Sequence, residues 1–162
     1  METQEPRCRH AKAPELVFPF MAPVYHIGKC AYWPLIRFFA GIDLVPHGMQ
    51  KLFGAFNGGG MEKTIGFVSQ LGFEPPALWA YLLAGTEFFG GLMIAFGFLT
   101  RLGAAAATIM LTVAFLAVHL KNGFFIMNGG YEYAMFWAVV CFAIFLRGGG
   151  PFSVDAKIGK EL

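Results

Sequence analysis

Arg37, Asp43, His47 and Lys51 fall within one arc of about 120° if residues 32–53 form a helix that turns about 100° per residue. Asp43, His47 and Lys51 follow each other at i, i+4 and i+8. An acid, an imidazole and an ammonium on one stripe can exchange protons, pair their charges or hydrogen-bond a polar head group. The residues around them are apolar and read as a membrane span. A charge at the bilayer centre costs roughly 2.5–3.5 kcal/mol on insertion scales. The stripe must therefore face protein or trapped water.

Glu87, His119 and Glu132 are the corresponding ionisable groups of three later apolar segments. At about 1.5 Å per residue, Asp43 and Glu87 come to nearly the same depth, close to the midplane. His47 then lies roughly 6 Å and Lys51 roughly 12 Å further outward, with His119 and Glu132 some 10–13 Å from the centre. This shared range predicts a polar pocket in the outer leaflet. Asp43, His47 and Glu87 are its candidate catalytic groups, with Lys51, His119 and Glu132 lining it. Arg37 and Arg101 belong to the opposite end and read as structural anchors. The competing reading is structural glue: Asp43 paired with a base, Glu87 protonated, Lys51 snorkelling to the surface.

The elements that must position these groups are four transmembrane helices. Helix 1 is placed at 32–53, helix 2 at 77–97 after Pro75 and Pro76, helix 3 at 101–120 and helix 4 at 130–146. Each is near the roughly 20 residues needed to cross hydrocarbon, helix 4 being the shortest. The domain plan is an N-terminal tail over 1–31, a membrane domain over 32–147 and a C-terminal tail over 148–162. Residues 1–15 are polar and mixed in charge, and the next apolar piece is broken by Pro19 and Pro23, unlike a signal peptide. Lys and Arg concentrate in the tails and the 2–3 turn, so both termini are expected on the cytoplasmic side. Small residues near Glu87 and at the start of helix 3 suit close helix packing.

Hydrophobic residues make up 57% of the chain and charged ones 14%, well under the roughly 25% of soluble domains. A net charge of +2 without basic runs sets nucleic acid aside. Cys8, Cys30 and Cys141 form neither a redox pair nor a disulfide framework. Neither His47 nor His119 follows a glutamate by three residues, as a di-iron bundle site requires. A mononuclear His/His/Glu metal site is unspecific. A bis-histidine haem is disfavoured by a depth mismatch of roughly 7 Å. The glycine runs at 58–60, 129–130 and 148–150 match no nucleotide loop.

Arg37, Gly41, His47-Gly48, Lys51 and Gly54 resemble the first helix of the DoxX family of small bacterial membrane proteins. The likeness continues through Gly85, Glu87, Gly90-Gly91, Gly97 and Arg101, then His119, Asn128-Gly129-Gly130 and Tyr131-Glu132. It ends at Gly148-Gly149-Gly150, Ser153 and Asp155. It spans residues 35–155 and implies an all-α, four-helix protein of the bacterial cytoplasmic membrane. It also implies a redox setting, with relatives named as quinone-linked oxidoreductase subunits or as partners of redox-stress enzymes. The expected function is a membrane subunit that binds a quinone or small polar substrate and works with a partner redox protein, with self-association open. The alternative is a non-catalytic scaffold for a soluble partner, and the third choice is passage of a small solute or protons.

Overall fold

The computed structural model describes residues 16–161, and all regular structure in that range is helical. Helix α1 spans Ala22–Phe53, α2 Gly60–Gln70, α3 Pro76–Phe96, α4 Thr100–Asn122, α5 Glu132–Arg147 and α6 Val154–Ile158. Helices α3 and α4 are long and apolar enough to cross a membrane. The expected tail over 1–31 lies outside the described residues up to residue 15.

Helix α1 begins at Ala22 rather than Tyr32. Pro23 occupies its first turn, where a missing N–H costs nothing. Its 32 residues reach about 48 Å, beyond a hydrocarbon core of about 30 Å. Pro34 and Pro46 lie inside it and do not end it. Helix α5 has 16 residues and rises about 24 Å.

Helix α1 packs along α3, α4 along α5, and α3 against α4. The centre is built from small and medium side chains, among them Ala40, Leu44, Ile94, Ala104, Ala107 and Ala138. Bulky apolar groups such as Phe39, Phe89, Ile109, Phe136 and Val139 face outward. That distribution suits lipid, where small residues bring backbones together and large ones meet acyl chains. In water it would be one large sticky surface.

Gly41 and Gly48 set the α1–α3 separation. A methyl at Gly41 would run into the backbones of Gly91 and Ala95, and one at Gly48 would lie 2.5 Å from the Phe88 amide nitrogen. These contacts fix the antiparallel register, with Gly48 opposite Phe88. Glu87 therefore lies level with the turn of α1 near Gly48, about one turn further along than Asp43. Equal counts from the helix ends put the two acids side by side; the helices are instead offset along their axes.

Candidate functional site

Glu87 is buried within a π-helical turn over Thr86–Gly90, which interrupts the α-helical register of α3. Such single turns carry one extra residue and recur at functional sites. The Glu87 carboxylate accepts from Lys51 Nζ at 2.8 Å through Oε1 and 2.6 Å through Oε2. Lys51 stands in the last turn of α1, where a cation also answers the helix dipole. The ammonium is about a quarter exposed and the carboxylate almost fully buried.

One turn back from Glu87's level, Asp43 accepts a hydrogen bond from the Tyr133 hydroxyl through Oδ2. Tyr133 sits in the first turn of α5, with its ring 6.4 Å from that of His47 and 6.3 Å from that of Trp137. His47 lies between Asp43 and Lys51 on the α1 stripe and is exposed on the outer surface of the helices. Phe53 and Phe88, close in sequence to Lys51 and Glu87, bring their rings to 5.5 Å of each other edge to face across α1 and α3. The result is a carboxylate–phenol pair and a carboxylate–ammonium pair, with an accessible imidazole on the same stripe.

The structure thus brings Asp43, His47, Lys51 and Glu87 into one region and adds Tyr133. His119 and Glu132 are engaged elsewhere. His119 Nδ1 lies 2.7 Å from the Gly129 carbonyl, which Asn122 also reaches at 3.1 Å. Glu132 Oε1 accepts from the Ile126 amide at 2.9 Å. Both side chains hold the loop between α4 and α5 in shape. Among the described residues, no three His, Cys, Asp or Glu side chains converge as metal ligands.

Arg37 and Arg101 organise the opposite end. Arg37 is buried, donates from Nη2 to the Phe152 carbonyl at 3.2 Å, and leaves Nε and Nη1 without a partner. Its guanidinium occupies the space a side chain at Gly97 would need, at the C-terminal end of α3, where a cation is favoured. Gly97, at φ 69°, begins the turn into α4. Asp155 caps the start of α4, accepting from the Leu99 and Thr100 amides at 2.8 and 2.9 Å and from the Thr100 hydroxyl at 2.6 Å. Burial alone would raise the Asp155 pKa, but these hydrogen bonds and the Arg37 charge outweigh it and hold the carboxyl below its ordinary value. Arg101 donates to the Phe145 and Leu146 carbonyls at the end of α5, at 3.0 Å each, and pairs with Glu161 at 3.5 Å. The segment after α5 is thus a fastening across helix ends, a role that sequence alone did not assign to it.

The DoxX family profile matches residues 33–120, more than half of the chain and the stretch that carries Asp43, His47, Lys51 and Glu87. The chain belongs to the DoxX family. A Haemophilus influenzae protein described as uncharacterized is 25% identical over 134 residues, covering 83% of this DoxX protein and 87% of that relative. A Bacillus subtilis protein named "Putative oxidoreductase CatD" is 33% identical over 101 residues, covering 62% of this chain and 69% of the relative. No solved structure matches the chain. Tyr133 and Asp155 lie beyond the matched stretch.

Proposed function

We propose that this DoxX protein is a membrane subunit of a redox system that binds a quinone head group at the Asp43–Tyr133, His47 and Lys51–Glu87 cluster. The observation that carries the reading is the Lys51–Glu87 ion pair, buried on its acid side within a π-helical turn. In this reading α1, α3, α4 and α5 form a four-helix transmembrane bundle with both termini cytoplasmic, in the inner membrane of a bacterium. Residues 32–147 are then the membrane domain, and a partner redox protein supplies the electrons.

The residues suit such a ligand. A quinone carries two carbonyl acceptors on a flat ring, and this region offers the His47 imidazole as a donor, with the Tyr133 ring and the Phe53–Phe88 pair as aromatic walls. When bound, a quinone supplies two-electron, two-proton chemistry. The exposed face of His47 meets a head group arriving from lipid and can hydrogen-bond one of its carbonyls. Asp43 orients the Tyr133 hydroxyl, and Lys51 holds the Glu87 carboxylate in place. Support for a redox role also comes from the name of the Bacillus subtilis relative.

The test is titration of the purified full chain, in phosphatidylcholine nanodiscs, with a short-chain quinone such as decylubiquinone. Wild type should bind saturably, and His47→Ala and Tyr133→Phe should bind at least tenfold more weakly, His47→Ala with an unchanged melting temperature. Equal binding by wild type and His47→Ala overturns the assignment. A chain that binds no quinone yet retains an oxidoreductase whose turnover ignores both substitutions is the scaffold instead.

A further inference from the structure

We propose that the cleft beside Lys51, whose lining does not include Glu87, holds the phosphate of an anionic lipid. The cleft has a volume of about 270 Å³ and lies between the end of α1, the 54–59 loop and the first two turns of α2. That is just under the roughly 300–1,000 Å³ of small-molecule pockets, a size for a head group with its tail outside. Gln50, Lys51, Lys63 and Thr64 give it polar walls, and Phe67 gives it an apolar one. No acid lines it; Glu62, the acid of this helix, is exposed and lies outside the lining.

Lysine has three N–H donors. Lys51 makes its two contacts with the two oxygens of Glu87, so a third donor remains for an acceptor in the cleft. Lys63 makes no ion pair among the described residues. Its stem packs over Gly59, where any larger residue would displace it. Two ammonium groups beside a half-exposed phenylalanine match an anion carried on a hydrocarbon chain better than a fully hydrated ion. The placement of this end at headgroup depth rests on the four-crossing topology above; the quinone is not needed for it.

The experiment uses full-length protein in nanodiscs of phosphatidylcholine with a minor share of phosphatidylglycerol, and native mass spectrometry to read the retained lipid. Wild type should keep phosphatidylglycerol in preference. Lys63→Gln should lose that preference about fivefold, the effect of one lysine near an anionic surface, with an unchanged melting temperature. Lys157→Gln, at the other end of the protein, should behave as wild type. Millimolar inorganic phosphate should not displace the lipid; displacement would mean a free-anion site and overturn the lipid assignment. Equal retention by wild type and Lys63→Gln overturns the site altogether. Quinone binding is measured in pure phosphatidylcholine, so failure there leaves this result legible.

Discussion

Removing Lys51 strands the almost fully buried Glu87 carboxylate without its partner. Lys51→Met should therefore destabilise the protein by about 3–5 kcal/mol, as broken buried pairs do. The double variant Lys51→Met, Glu87→Met should recover most of that loss, because neither charge remains to be solvated. Denaturant unfolding of the two variants checks this; a double variant as weak as the single one would place their importance outside the pair. Tyr133→Phe keeps the ring against Trp137 and leaves Asp43 without its donor, at a cost of about 1–3 kcal/mol. The α1 stripe was legible because four-residue spacing places side chains on one face whatever the surroundings. Tyr133 was not, since an aromatic at the mouth of a helix also reads as an interfacial belt residue. His119 and Glu132 were placed by depth alone, which says nothing of a loop carbonyl or amide folding back to meet them.

At the scale of elements, the α1–α3 contact and the fastening after α5 carry the arrangement. Gly48→Leu should cost about 1–3 kcal/mol or more, since the backbone of Phe88 leaves no room. Gly85→Ala, with open space around its Cβ position, should be neutral or gain up to about 1 kcal/mol of helix propensity. Thermal melts of both in one detergent compare them, and similar losses would refute the close approach as the reason for Gly48. Asp155 gives a pH signature. Its folded pKa is depressed, so its contribution is complete above the ordinary carboxylate value of about 3.8 and is lost as pH falls through the folded value. Wild type should thus lose stability below about pH 4 more steeply than Asp155→Asn, measured by melting temperature against pH. The long apolar helices were readable from hydropathy and proline placement. The early start of α1 was hidden because prolines that break a helix interior are welcome in its first turn. The fastening was hidden because three glycines in succession look like the end of structure.

For the whole molecule, large side chains outside and small ones inside make the lipid bilayer part of the fold. The proposed four-crossing topology predicts that, with native cysteines removed, Lys63→Cys reacts with an impermeant maleimide on intact cells. Lys157→Cys should react only after permeabilisation, and the reverse pattern would invert the orientation. Thr86–Gly90 is a π-helical turn inside α3. A turn of this kind absorbs an additional residue while the helix on either side keeps its facing. Deleting Phe88 would convert it to ordinary helix, leaving Ala84 and Ile94 in their seats while the carboxylate of Glu87 swings away from Lys51. A shorter and more regular helix would be the less capable one, and an indel there would separate shape from chemistry in a single step.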